Sequence, residues 1–275
     1  MKLLIHTGGT IGMVPGVGGL VPGPGVVERA VGARAQVEAF DPLLDSADVT
    51  PGHWNRLLDR IEAARAPVVI THGTDTLAYT GAALSQALAG WAWPVVLTAS
   101  MRPLGMAGDA EANLDLALAT DPGPGVWLAF AGRLLPAAGL VKAQSHEADA
   151  FRTVPQPPEP GPWRARRFAD RRVAILTLSP GMPAAMLAAA LAQLDGAVLR
   201  VFGAGTMAAD LGAVLHAAHA RGCRLRAVSS CENGGLSPGA YAAGAALWQA
   251  GVQNGGTETA EAALVRVWLA LSDAA

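Results

Sequence analysis

Short, wholly apolar runs recur along this chain, and each ends in a glycine-bearing or polar turn that leads into a helical pattern. Leu3-Leu4-Ile5, Val68-Val69-Ile70, Val95-Val96-Leu97 and Val126-Trp127-Leu128-Ala129-Phe130 are continuous rather than alternating. A strand that is apolar at every position is covered on both faces, which is the condition of a parallel sheet between helices. Between the runs, Trp54, Leu57, Leu58 and Ile61 share one helical face, and so do Leu77, Gly81, Leu84 and Leu88. An Ala-rich helix with Leu114, Leu116 and Leu118 starts near Asp109. The alternation predicts an α/β fold.

The rhythm breaks at residues 152–172. Pro155, Pro157, Pro158, Pro160 and Pro162 support neither helix nor ladder, and Arg164, Arg166, Arg167, Arg171 and Arg172 follow. This segment reads as a solvated interdomain linker. Alternation then resumes, with strands expected at 173–178, 197–202 and 225–229 and helices at about 183–194, 207–220, 239–250 and 258–271. The expected organisation is a larger N-terminal parallel-sheet α/β domain over 1–151 and a smaller C-terminal α/β domain over 173–275.

With 275 residues, 51% hydrophobic and 15% charged, the chain has enough apolar side chain for two packed lobes. A net charge of -2 gives no electrostatic reason to hold nucleic acid. The longest apolar stretch, 182–199, is broken by Gln193 and Asp195 and reads as helix plus strand, so no membrane span is expected. Cys223 and Cys231 read as reduced thiols, and the N-terminus lacks an apolar signal core, so a cytoplasmic location is expected.

Three short motifs carry chemistry. Thr7-Gly8-Gly9-Thr10-Ile11-Gly12 follows the first strand directly. In open α/β sheets ligands bind beyond the carboxyl ends of strands, and paired glycines admit a close backbone approach. The motif lacks both the dinucleotide and the P-loop spacing, which argues against a nucleotide. His72-Gly73-Thr74-Asp75-Thr76 stands at the end of the 68–71 strand, where Asp75 or Thr76 would ordinarily cap the next helix. Lys142 is a lone cation in the apolar stretch Leu140-Val141-Lys142-Ala143. It reads evenly as a surface lysine on an edge strand or as a partner of Asp75. A threonine hydroxyl is a weak nucleophile that needs a base, and a Thr–Lys–Asp relay supplies one. No His/Cys spacing suggests zinc, and no Gly-x-Ser-x-Gly is present.

These motifs, in this order, resemble the bacterial L-asparaginases of the threonine-nucleophile class. Asp45-Ser46-Ala47-Asp48 with Trp54, Ala99-Ser100-Met101-Arg102-Pro103 with Asn113, and Ser230-Cys231 with Gly256-Thr257 to Leu269 extend the resemblance over nearly the whole chain, nearest the cytosolic branch toward the C-terminus. The resemblance implies an amidohydrolase that converts L-asparagine to L-aspartate and ammonia through a threonine acyl-enzyme. Thr10 would attack the side-chain amide, and Thr74, Asp75 and Lys142 would form the relay; the order of attack between the threonines stays open. Ser46 would hold the substrate α-carboxylate and Asp75 its α-ammonium. Gly9, Asp45, Ala47, Gly73 and Thr74 would complete the pocket, with the Ala99 backbone at the reacting amide. It implies no metal, no organic cofactor, and a homodimer or homotetramer whose sites are closed by neighbouring lobes.

The sequence also departs from that pattern. Such enzymes usually carry a tyrosine in the loop after the first motif, but Met13 to Gly25 has none, leaving Tyr79 and Tyr241 as the chain's tyrosines. Ala47 stands where a Gln or Ser is usual, and the turn Gly203-Ala204-Gly205-Thr206 lacks the usual asparagine. The departures leave two alternatives in play: an amidase or glutaminase with another substrate, and a non-catalytic amino-acid-binding relative.

Overall fold

The computed structural model describes residues 2–156 and 161–274. The chain forms two compact units, one of 1–153 with 157–165 and the other of 154–156 with 166–275. Each is described by itself below.

In the first unit β1 (Lys2–Gly8) runs into a 3-10 turn at Thr10–Gly12 and a hairpin of β2 (Met13–Gly16) and β3 (Gly19–Pro22). Then come α1 (Val26–Val31), β4 (Ala35–Leu44), α2 (Pro51–Ala64), β5 (Val68–Thr71), α3 (Leu77–Ala87), β6 (Pro94–Thr98), α4 (Ala110–Ala119), β7 (Gly125–Phe130) and β8 (Arg133–Pro136). A hairpin of β9 (Leu140–Lys142) and β10 (Phe151–Thr153) ends the series. The main sheet is six-stranded in the order β4-β1-β5-β6-β7-β8. All neighbours are parallel except β7 and β8. That antiparallel edge comes from Ala131 and Gly132, both at positive φ (49° and 71°), which make the two-residue turn that matches strand twist.

The continuous apolar runs have the expected cause. Leu4, Val69, Val96 and Ala129 face one side, in a core with Val27, Val31, Ala110, Leu114 and Ala117 from α1 and α4. The alternate residues Ile5, Ile70 and Leu97 are equally buried on the other side. The β4 edge strand escapes the run criterion because Gln36, Glu38 and Asp41 interrupt it, and it pairs with β1 along one side only.

The second unit repeats the alternation on a smaller scale. Its elements are β11 (Val173–Thr177), α5 (Ala184–Ala192), β12 (Gly196–Val201), α6 (Gly212–Ala220), β13 (Arg224–Ser229), α7 (Ala245–Gln249), β14 (Gln253–Asn254) and α8 (Ala260–Ser272). The four strands are parallel in the order β11-β12-β13-β14. The helix expected over 239–250 contracts to α7 behind a 3-10 turn at Ala242–Gly244, because Gly239 adopts φ 84° and Gly244 is pressed against the Gly205 carbonyl. The helix expected from 207 begins at Gly212, after the 3-10 turn Ala209–Leu211.

The segment expected as a solvated linker is packed where it is described. Trp163 packs against Trp91 in the first unit, with ring centroids 4.7 Å apart and the ring planes tilted by 58°. In the second, Arg166 pairs with Asp273 at 2.8 Å and Arg172 with Asp195 at 3.1 Å, so these arginines are anchored by carboxylates. Pro157, Pro158 and Pro160 lie outside the described residues.

Candidate active site

The first unit's sequence motifs meet at the carboxyl edge of its sheet. Gly8 and Gly9 take φ 127° and 84°, a region that side chains with a Cβ rarely enter. A methyl group on Gly9 would lie 2.5 Å from the Gly73 Cα, and one on Gly73 would lie 2.5 Å from the Ser46 Oγ. The Thr10 turn, the Gly73–Asp75 loop and the Ser46 loop therefore touch through positions that only hydrogen can occupy. The Gly9 N–H donates to the Leu44 carbonyl at 3.2 Å, which ties the turn to the end of β4 as well.

Lys142 resolves its two readings in favour of the carboxylate. Its Nζ donates to the Thr74 Oγ1 at 2.9 Å and to the Asp75 Oδ1 at 2.5 Å. The lysine side chain is 19% exposed and that of Asp75 is 69% exposed, so the ion pair stands at the rim with its amine end turned inward. The β9–β10 hairpin delivers it: Lys142 is the last residue of β9, paired with Phe151, and the Phe151 ring packs edge-on against Phe130 at 5.1 Å. Neither Asp75 nor Thr76 caps α3 with its side chain; Thr76 donates instead to the Ser46 carbonyl at 2.7 Å. That bond joins the two loops a second time.

Thr74 and Ser46 are buried, Thr10 is half-buried, and Asp45 and Ala47 are exposed. The Asp45 carboxylate accepts from the Ala47 N–H at 3.0 Å, which shapes the 3-10 turn Ser46–Asp48. Ala99 is buried just past β6, and its carbonyl accepts from the Asn113 Nδ2 at 3.0 Å. Tyr241 is 61% exposed and belongs to the second unit.

Two histidines lie beneath the threonine motifs. His6, on β1, is 1% exposed, and its Nδ1 is 2.7 Å from the Thr71 Oγ1. Burial lowers its pKa to about 4, with the Glu28 charge offsetting part of the effect. His72 is also buried, and burial lowers its pKa, opposed by the hydrogen bond to the Gly73 carbonyl. Sequence reading gave neither histidine a role. The available signal was position: each stands at a buried strand end, just before a threonine motif.

Comparison with known proteins decides the family. The model for "Asparaginase, N-terminal" matches residues 3–161, and that for the "Glutaminase/Asparaginase C-terminal domain" matches residues 172–275. The chain belongs to the asparaginase family. Among its relatives, L-asparaginase 1 of Escherichia coli K12 is 31% identical over 305 aligned positions, covering 97% of this chain and 90% of that one. The thermostable L-asparaginase of Thermococcus kodakarensis superposes with a TM-score of 0.84 at 30% identity, covering 99% of this chain and 93% of its own. L-asparaginase I of Vibrio cholerae gives 0.86 at 28% identity, covering 98% and 92%. Among the described residues of this asparaginase-family chain, no helix is long and apolar enough to cross a membrane.

Proposed function

We propose that the protein hydrolyses L-asparagine to L-aspartate and ammonia through a threonine acyl-enzyme. The observation that carries this reading is Lys142, whose amine bridges the Thr74 hydroxyl and the Asp75 carboxylate beside the Gly9–Thr10 turn. An amine held between a hydroxyl and a carboxylate passes a proton along that line, which is what a weak hydroxyl nucleophile and a deacylating water both need.

In this reading the Thr10 Oγ attacks the amide carbon and gives up its proton, the C–N bond breaks, and the nitrogen leaves as ammonia with that proton. An ester of Thr10 remains. Water then attacks the ester carbon and loses its proton to the Thr74–Lys142–Asp75 relay. The ester bond breaks, and Thr10 regains a proton as aspartate departs. Ser46 binds the α-carboxylate and Asp75 the α-ammonium. The Ala99 carbonyl, which has one lone pair engaged by Asn113, accepts from the substrate amide with the other. The backbone at Gly9, Asp45, Ala47, Gly73 and Thr74 completes the pocket.

Ammonia release from L-asparagine by wild type, Thr10→Ala and Lys142→Ala tests this assignment, and full turnover by either variant would remove the assigned role. Glutamine hydrolysis is the second reading, favoured by the exposed Ala47, which offers no side-chain hydrogen bond where the substrate loop turns. Competing rates on asparagine and glutamine separate the two. We further assign a homodimer or homotetramer, to be read by light scattering, and a cytoplasmic location, consistent with the free and exposed thiol of Cys231.

A further inference from the structure

Behind the Gly73–Asp75 loop lies a buried chain of hydrogen bonds that the reaction scheme does not use. The Trp54 Nε1 is 3.0 Å from the Thr80 Oγ1, the Thr80 Oγ1 is 3.0 Å from the His72 Nε2, and the His72 Nδ1 is 2.7 Å from the Gly73 carbonyl oxygen. Trp54 comes from α2, Thr80 from α3 and His72 from the end of β5; all three are buried, with Thr80 at 0% and His72 at 1% exposed.

The chemistry of the groups fixes the direction of every bond. A carbonyl oxygen only accepts, so the His72 Nδ1 carries a proton. Burial without a counter-charge disfavours the imidazolium, so the Nε2 holds a lone pair and accepts. The indole N–H only donates, so the Thr80 oxygen accepts from Trp54 and its own proton goes to His72. The chain therefore runs one way, from Trp54 N–H through Thr80 O–H to His72, and from His72 N–H to the Gly73 carbonyl. The other tautomer would leave the Gly73 carbonyl facing a lone pair and give the Nε2 proton to an oxygen already accepting from Trp54.

We propose that His72 is a positioning residue: locked in its Nδ1–H tautomer by Trp54 and Thr80, it fixes the orientation of the Gly73–Thr74 peptide and so aims the Thr74 hydroxyl at Lys142. The inference rests on Thr74 acting in the relay. It adds that α2 and α3, which carry no reacting group, set the alignment of that relay. The Gly73 carbonyl belongs to the peptide unit that precedes Thr74, and rotation of that unit swings the Thr74 Cα–Cβ bond. Small misalignment of a reacting hydroxyl costs rate more than binding.

Two measurements test it. The imidazole nitrogen shifts of His72 in the folded protein at neutral pH are expected to show a protonated Nδ1 and an unprotonated Nε2; a protonated Nε2 overturns the proposal whatever the activity. Thr80→Val removes the hydroxyl and keeps the shape. It is expected to lower kcat on asparagine about 100-fold with KM within about two-fold, and Thr80→Ser is expected to restore kcat. A folded Thr80→Val enzyme with wild-type kcat reduces His72 to a satisfied core histidine. If Thr80→Val does not fold, His72→Asn and His72→Gln replace it. Asn keeps an amide donor near the Nδ1 position and is expected to retain more kcat than Gln, whose amide falls near Nε2 instead; equal activities overturn the proposal. Failure of the relay reading is distinguishable, because Thr74→Ala would then retain activity while the nitrogen shifts stay unchanged.

Discussion

The two threonine motifs occupy equivalent places, each one step beyond a buried parallel strand and each above a buried histidine, yet they are held in different ways. Beneath Thr74, both nitrogens of His72 are hydrogen-bonded, and the hydroxyl itself meets Lys142. Beneath Thr10, the His6 Nδ1 is bonded to Thr71, while its Nε2 is buried with no hydrogen-bond partner among the described residues. A Cβ on Gly12 would lie 2.6 Å from that nitrogen. Close approach to backbone at Gly8 and Gly9, and to the His6 ring at Gly12, sets the first motif; side-chain hydrogen bonds set the second. In the proposed mechanism, a turn held by glycine contacts keeps the Thr10 hydroxyl free to attack, whereas Thr74, as the proposed relay member, must be aimed.

If that contrast describes the chemistry, substitutions at the two motifs divide as follows. Thr10→Ala and Thr74→Ala are each expected to lower kcat by about 10^4-fold, with single-turnover acyl-enzyme trapping absent in the first. Accumulation of an acyl-enzyme in Thr10→Ala would reverse the roles of the two threonines. Lys142→Met is expected to lower kcat by about 10^3-fold, the range of a lost acid–base group, and a loss confined to KM would show that the lysine only binds. Gly9→Ala combines the left-handed backbone with a clash against Gly73 and is expected to cost on the order of 3 kcal/mol in urea unfolding. Gly73→Ala meets a side-chain hydroxyl, Ser46, and its loss is expected to be smaller and to appear in KM for asparagine.

The buried histidine beneath the first motif adds an effect that is read against pH rather than in the rate at one pH. The folded pKa of His6, about 4, lies below the ordinary value of 6.5, so the unfolded chain takes up the proton first. Its penalty is absent above about pH 6.5, grows as pH falls toward about 4, and levels off below that. The full penalty is on the order of 3 kcal/mol. His6→Asn keeps a partner for Thr71 without titrating, so its melting temperature is expected to fall less steeply across that window than that of wild type. Parallel curves for the two proteins would show that His6 is not the titrating group.

Much of the fold was legible because burial on both faces leaves an unambiguous mark. The runs at Leu3, Val68, Val95 and Val126 became β1, β5, β6 and β7, and the helical faces around Leu57 and Leu84 became α2 and α3. β4 was not legible, because an edge strand with Gln36, Glu38 and Asp41 has no apolar signature. Nor was the contraction of the helix expected from 239, which depends on how Gly244 meets Gly205. In the site, residue types and strand-end positions pointed to Thr10, Thr74, Asp75 and Lys142, but the local sequence of Lys142 fits a solvated edge lysine equally well.

The sequence by itself determined the parallel alternation, the strand-end threonines and the family, since periodicity and motif chemistry are local properties of the chain. Tertiary structure decided which groups meet. The β9–β10 hairpin carries Lys142 to Thr74 across 68 positions of sequence, and α2 and α3 bring Trp54 and Thr80 to His72. A hydrogen bond depends on distance and direction in space, and neither is written in the spacing of residues so far apart along the chain.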